Sequence, residues 1–150
     1  MDYRIENMPS SRLIGVSSVL GSDPQENYKI IEKFWNSIRA DGTLDRLIRL
    51  MDPERRSILG VCDPETNKYW IAVASEERGF DSLIIPDQMW AVFGTTGTYA
   101  ELRQLEMQII SEWLPESGYK ITQAPEVEVY RRQGPETVYL EVWVPVANQL

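Results

Sequence analysis

The order of apolar and polar residues along the first half of the chain predicts a strand, two helices and two further strands. Apolar runs bounded by turn residues indicate the strands, and apolar residues three and four apart indicate the helices. Ser22 or Asp23 caps the first helix, and Pro24 suits its first position. The predicted elements are a strand at 12–19, helices at 25–38 and 43–51, and strands at 57–62 and 69–74.

The second half repeats this order. The spacing of Thr98 and Glu101 is that of a capping box, which begins a helix. The predicted elements are a strand at 89–93, a helix from 98 to about 113, and strands at 126–130 and 138–144. Two strand–helix–strand–strand repeats, at about 12–75 and 88–146, therefore predict a single α+β domain over residues 1–150. Such halves pair into one antiparallel sheet with both helices on one face.

The composition changes this picture mainly through what it excludes. The 150 residues include no histidine and one cysteine, and 15 Lys/Arg against 23 Asp/Glu give a net charge of −8. Without histidine, Ser-His and Cys-His nucleophiles, His-ligated zinc and proximal-His haem are excluded, and we expect no metal and no cofactor. The charge repels a polyanion, so we expect no nucleic acid bound by the chain itself; a charged ligand would be a cation.

Membrane and targeting signals are missing from the sequence. No stretch approaches the roughly 20 apolar residues of a membrane span, and the first residues lack the basic and apolar regions of a signal peptide. Cys62 has no partner for an internal disulfide, which fits a reducing compartment. We therefore expect a cytoplasmic protein without membrane contact.

The last two predicted strands concentrate the candidate chemistry, because side chains alternate between the faces of a strand. One face of the first strand carries Glu126, Glu128 and Tyr130, and one face of the second carries Tyr139, Glu141 and Trp143. We predict a hairpin that pairs Tyr130 with Tyr139. In that register Glu128 lies directly opposite Glu141, and the aliphatic faces of both strands pack on the helices.

Two carboxylates facing each other among aromatic rings favour a hydrophobic, cationic ligand. Like charges across a sheet repel, and a bound cation relieves the repulsion. Aromatic faces add about 0.5–2 kcal/mol for each cation–π contact. Trp90, on the strand that opens the second half, either lines the same cavity or packs in the core. The alternatives for this face are a solvated surface or a dimer contact, and we expect Glu126 and Glu136 to be solvated.

Six segments spread over nearly the whole chain share their order and spacing with a known family. They lie at 12–16, 59–63, 85–93 followed by Gly97, 113–119, 128–130 and 141–146. Together they resemble the GyrI-like, or AraC-type, effector-binding domain of multidrug-sensing regulators. Because no DNA-binding region accompanies them, the chain looks like a standalone member, of the type carried on integron gene cassettes.

The resemblance implies pseudo-twofold symmetry and a ligand cleft between the two halves. In drug-sensing members this cleft binds hydrophobic, often cationic molecules through buried glutamates and aromatic rings. Glu128 matches the principal acid of the family and Glu141 the second acid. The expected walls of the cleft are Tyr130, Tyr139, Trp143 and Trp90. The family's haem-binding relatives are disfavoured here by the missing histidine.

Three functions remain open at this point. The preferred one is a binding protein for hydrophobic, cationic small molecules, acting by sequestration or as a ligand-responsive partner. The second is a hydrolase of a reactive small molecule with Glu128 as general base. The third is a gyrase-inhibitor-type interaction module whose acidic surface meets a basic protein. A protein partner or a homodimer is left open.

Overall fold

Nine strands form a curled antiparallel sheet in the computed structural model, which describes residues 1–132 and 138–149. The strands are β1 (Arg4–Met8), β2 (Ser11–Val19), β3 (Ile58–Asp63), β4 (Lys68–Ala74), β5 (Asp81–Ile85), β6 (Gln88–Thr96), β7 (Tyr119–Ile121), β8 (Glu126–Arg132) and β9 (Val138–Asn148). The helical elements are α1 (Pro24–Ala40), α2 (Thr43–Leu50), α3 (Tyr99–Gln108), a π-helical turn (Ile109–Trp113) and α4 (Leu114–Glu116). The predicted α+β class is confirmed.

The order of strands across the sheet displays the two repeats. From edge to edge the order is β1-β6-β9-β8-β3-β4-β2-β5, with β7 paired to β9. Strands β6, β9 and β8 of the second repeat mirror β2, β4 and β3 of the first, so a pseudo-twofold axis lies between β8 and β3. The outer strands follow the same symmetry, because β1 pairs with β6 and β5 pairs with β2.

Local signals at the helix starts act as predicted. The Asp23 side chain accepts a hydrogen bond from the Gln25 amide at 3.0 Å, and Pro24 is the first residue of α1. The Thr98 hydroxyl accepts one from the Glu101 amide at 3.3 Å. The prediction missed β1, β5 and β7, three short strands that are largely exposed and lack a clear apolar alternation.

The sheet curls so far that its own inner face forms a core. Only two residues connect β1 to β2, and only two connect β5 to β6. In each case the two connected strands lie at opposite ends of the sheet. The two ends must therefore approach each other, and the sheet forms a half-barrel. Buried side chains on its inner face include Leu13, Val61, Trp70, Trp90 and Val92.

The helices cover the other face of the sheet, as predicted. Ile31, Trp35 and Ile38 of α1 pack on Tyr69 and Ile71. Leu102 and Ile109, from α3 and the π-helical turn, pack on Phe93, Leu140 and Val142. The two helices also meet directly, because the Arg103 guanidinium of α3 lies 3.5 Å from the ring centroid of Tyr28 on α1. In the described part of the chain, no helix is long and apolar enough to cross a membrane.

The register between β8 and β9 differs by one residue from the prediction, which is wrong here. Tyr130 pairs with Leu140 instead of Tyr139, and Glu128 pairs with Val142. A shift of one residue moves every side chain of a strand to the other face. Glu128 and Glu141 therefore lie on opposite faces of the sheet. Residues 133–137, which form most of the predicted turn, lie outside the described residues.

The physical reason for the shift is that both faces of this sheet are buried. Val127 and Val129 of β8 pack into the inner core. Leu140, Val142 and Val144 of β9 pack under the helices. The prediction assumed that the aliphatic residues of both strands share one covered face. With two cores available, the two aliphatic rows point in opposite directions.

Candidate functional site

The predicted site residues separate into two groups, one on each face of the sheet. Glu128 and Tyr130 lie under the helices, in a group that we call the helix-side cluster. It consists of Trp35, Tyr69, Glu106, Glu126, Glu128 and Tyr130. The other four predicted residues lie on the inner face, in a group that we call the inner cluster. It consists of Arg4, Trp90, Arg131, Tyr139, Glu141 and Trp143.

Glu128 is the centre of the helix-side cluster and is only 3% exposed. Its Oε1 accepts hydrogen bonds from the Tyr69 hydroxyl at 2.8 Å and the Tyr130 hydroxyl at 2.9 Å. The indole Nε1 of Trp35 donates to the Tyr69 hydroxyl at 3.1 Å. A helix and two strands thereby fix one oxygen of this carboxylate.

Gly60 makes room for this arrangement. It pairs with Glu128 across β3 and β8. A Cβ at this position would collide with the Tyr69 hydroxyl and crowd the Glu128 carboxylate. The missing side chain thus lets a tyrosine from β4 reach a glutamate two strands away.

Two further carboxyl groups contact Glu128 or its surroundings. Glu106 of α3 lines the same cavity as Glu126, and its carboxyl interacts with those of Glu126 and Glu128. Burial, followed by the charge of Glu128, raises the pKa of Glu106 well above its usual range. The same two causes raise the pKa of Glu126 to about 7. The expectation that Glu126 is solvated is wrong, since it is half-buried; Glu136 lies outside the described residues.

In the part of the chain that the structure describes, no cation forms an ion pair with these three acids. Across residues 1–132 and 138–149, the ion pairs involve other acids: Glu6, Glu26, Asp52 and Glu141. One oxygen of Glu106, Oε1, is buried without a hydrogen-bond partner. Nor is any group of three acidic or cysteine side chains in these ranges arranged to hold a metal ion. The cluster is therefore rich in acceptors and short of positive charge.

A cavity of about 360 Å³ opens beside the cluster. Glu106 and Glu126 supply its acidic wall, and Val142, the cross-strand neighbour of Glu128, contributes to its apolar floor. Its lining also includes Tyr28 and the exposed side chains of Met107 and Ile110. A second cavity, of about 220 Å³, shares Glu126 and Val144 with the first. The space combines apolar surface with buried acid.

In the inner cluster, by comparison, the negative charge of Glu141 is paired with positive charges of the chain itself. Glu141 is 2% exposed, and its Oε2 accepts from Arg4 Nη2 at 3.0 Å and the Tyr139 hydroxyl at 3.2 Å. Its Oε1 accepts from Trp143 Nε1 at 3.2 Å and lies 3.8 Å from Arg131. The chain's own guanidinium groups thus occupy the surroundings of this carboxylate.

Trp90 belongs to the inner core and not to the cleft under the helices. It is 2% exposed, and its ring meets Trp143 edge-on at 6.0 Å between centroids. Of its two predicted roles, packing in the core is therefore the one observed. Tyr139, Glu141 and Trp143 likewise have the sheet between them and Glu128.

The sequence reasoning missed four members of the helix-side cluster: Trp35, Tyr69, Glu106 and Glu126, the last of which it expected to be solvated. Trp35 follows from helical periodicity as a core residue, and nothing in the sequence reveals its hydrogen bond to Tyr69. Glu106 did leave a signal. It lies four residues after Leu102 and three before Ile109, and so falls on the buried side of its helix. A carboxyl on that side requires a partner, a proton or a ligand.

Comparison with known proteins decides the family. A family model described as integron-associated effector binding protein matches residues 4–146. The chain belongs to the integron-associated effector binding protein family. The predicted resemblance is thereby confirmed. No curated protein sequence is significantly similar to the chain.

Solved structures share the fold of this family member at low sequence identity. SAV2435, solved bound to tetraphenylphosphonium, superposes with a TM-score of 0.85 at 22% identity, covering 98% of this chain and 94% of that one. A transcription regulation protein from Staphylococcus aureus gives 0.83 at 22% identity and covers 99% of each chain. The integron cassette protein VCH_CASS2 of Vibrio cholerae gives 0.65 at 9% identity, over 97% and 95% of the two chains.

Proposed function

We propose that this protein binds a hydrophobic, cationic small molecule between its helices and the outer face of its sheet. Glu106, Glu126 and Glu128 supply the negative charge, and Tyr69 and Tyr130 orient the Glu128 carboxylate. The observation that carries the proposal is that Glu106 lies against Glu126 and Glu128 with no ion pair to any of the three among the described residues, next to a cavity with apolar walls. A ligand that brings one positive charge and aromatic surface satisfies both features.

The family and its relatives support this class of ligand. The family description names effector binding, and SAV2435 was solved with tetraphenylphosphonium, a lipophilic aromatic cation. For this chain we place the cation on the helix side of the sheet. The inner cluster is not part of the proposed site, because Arg4 already lies against Glu141 and the sheet separates it from the cavity.

The apolar side chains that line the cavity determine which kind of cation it favours. Met107 is 64% exposed and Ile110 is 47% exposed, and both line the cavity mouth. A flexible thioether adapts to ligands of different shape. A small hydrated ion would leave this surface exposed to water, whereas an aryl-substituted cation buries it at about 25 cal/mol per Å². The cleft therefore favours lipophilic monocations over metal ions and polyamines.

Calorimetric titration with two ligands that are matched in their aryl groups and differ in net charge tests the proposal. Methyltriphenylphosphonium and triphenylphosphine oxide carry the same three aryl groups, and only the former has a net charge. We expect the cation to bind at least about tenfold more tightly than the neutral oxide, which corresponds to roughly 1.4 kcal/mol. Equal affinity for the two compounds would show that the acids do not select for charge.

A matched pair of variants localises the effect. Glu126→Gln removes an acid that lines both cavities, while Glu112→Gln removes an exposed acid from the π-helical turn. We expect the first to weaken binding of the cation and the second to leave it unchanged.

Mass spectrometry of the recovered ligand after long incubation separates binding from hydrolysis, because a binding protein returns the ligand intact.

A further inference from the structure

We propose that the helix-side cluster exchanges a proton for its cation: in the ligand-free protein Glu106 and Glu126 share a proton beside Glu128, and this proton leaves when a lipophilic monocation binds. This inference rests on the proposed function and adds its regulation. Binding then depends on pH even for a ligand that has no titratable group.

The geometry requires a proton in the empty cluster. Carboxylate oxygens only accept hydrogen bonds, so two ionised carboxylates in hydrogen-bonding contact repel each other. Glu106 and Glu126 line the same cavity, and the Glu106 carboxyl interacts with those of both Glu126 and Glu128. Its buried Oε1 has no donor among the described residues. Because no cation among the described residues pairs with these acids, a proton between them is the group that makes the contact favourable.

Other polar groups face the cluster from the helices and strands packed around it. They are Tyr28 on α1, Cys62 on β3, Tyr69 on β4, Tyr99 and Arg103 on α3, and Tyr130 on β8. Burial raises the pKa of the Cys62 thiol and of the Tyr69, Tyr99 and Tyr130 hydroxyls, so these remain neutral. The Arg103 guanidinium stacks on the ring of Tyr28.

The exchange conserves charge in the cleft. One positive charge enters with the ligand, and one leaves as a proton that the buffer accepts. The entering cation stabilises the ionised form of the nearest carboxyls and so lowers their affinity for the proton. Glu106 and Glu126 interact strongly, so the released proton belongs to this pair of carboxyls and not to a single residue.

Calorimetric titration in two buffers of different ionisation enthalpy measures how many protons are released when the ligand binds. We expect methyltriphenylphosphonium to release close to one proton at about pH 6.5 and far less at about pH 8.5. Its affinity should rise with pH, by up to about tenfold per unit in the lower range. The neutral oxide should bind without proton release. Glu106→Gln should release less than half as much as the parent, whereas Glu112→Gln should match it.

The possible results separate this inference from the proposed function. If the cation binds more tightly than the oxide but with the same heat in both buffers and the same affinity at both pH values, proton exchange is wrong and cation binding stands. If neither compound binds, or both bind equally well, the proposed cation binding and the proton exchange are both wrong. Should Glu106→Gln lose its native circular dichroism, Glu126→Gln serves the same comparison.

Discussion

The hydroxyl of Tyr69 donates to Glu128 Oε1 at 2.8 Å and at the same time accepts from Trp35 Nε1 at 3.1 Å. Tyr69 is completely buried, so its hydroxyl has no access to water. This single group therefore ties helix α1 to the acid at the centre of the proposed site. Both the stability of the helix-side cluster and the orientation of Glu128 depend on it.

Tyr69→Phe should destabilise the protein and weaken cation binding. The substitution leaves the Trp35 N–H without an acceptor and removes one of two donors from Glu128, which costs about 1–3 kcal/mol. The midpoint of urea unfolding measures the first effect and calorimetric titration the second. Tyr130→Phe is the control, since it removes the other donor to Glu128 and leaves the hydrogen bond between Trp35 and Tyr69 intact. Equal unfolding midpoints for Tyr69→Phe and the parent would contradict this account.

Gly60→Ala should disrupt the site from the opposite strand. A Cβ at this position meets the Tyr69 hydroxyl and crowds Glu128, and crowding of a packed core costs about 1–3 kcal/mol. Gly21→Ala is the matched control, because the nearest atom to its added Cβ is 3.8 Å away. We expect reduced stability and reduced affinity for the cation in the first variant only. Thermal unfolding with and without methyltriphenylphosphonium measures both.

Arg4→Ala should lower stability without changing ligand affinity. It removes a guanidinium 3.0 Å from the buried Glu141 carboxylate, on the face away from the cleft. Because the Arg4 side chain is 47% exposed, we expect a loss of about 1–2 kcal/mol, below that of a fully buried pair. Denaturant unfolding gives the loss. An affinity change of about tenfold or more would place the inner cluster in the binding site after all.

The ligand-free protein should lose stability as the pH rises towards neutrality. The pKa of Glu126 is about 7 in the folded chain against an ordinary 4.5, so the folded state binds more protons between these values. Stability falls with pH wherever the folded state holds more protons than the unfolded state. Thermal unfolding at about pH 5.5 and about pH 8 measures this. Glu126→Gln should reduce the dependence, since the raised pKa of Glu106 remains, and Glu112→Gln should preserve it; an undiminished fall in Glu126→Gln would contradict the assignment.

The sequence predicts most of the fold because its signals are local. The caps at Asp23 and Thr98 and the order of elements in each repeat depend on neighbouring residues, and the structure agrees with both. The short strands β1 and β5 escape prediction because each pairs with the opposite repeat, so that long-range pairing stabilises them.

The site is harder to predict because it depends on register and on tertiary contact. Glu128 and Tyr130 are found from alternation within one strand. Their predicted partner Glu141 lies on the other face of the sheet, because the register of β8 and β9 is shifted by one residue from the prediction. The alternation of apolar and polar residues cannot detect this shift when both faces of the sheet are buried. Glu106 joins the cluster only through the packing of α3 on the sheet, and only its position on the buried side of the helix hints at that.

The most direct test of the central claim couples the charge of the ligand to the charge of Glu128. The affinities of methyltriphenylphosphonium and triphenylphosphine oxide are measured for the parent, Glu128→Gln and Glu141→Gln. We predict that Glu128→Gln weakens binding of the cation by about 10- to 100-fold, or about 1.4–2.8 kcal/mol, and changes that of the oxide by less than about twofold. Glu141→Gln should leave the ratio of the two affinities as in the parent. A ratio that is unchanged in Glu128→Gln, or that falls in Glu141→Gln instead, would contradict a cation site on the helix side of the sheet.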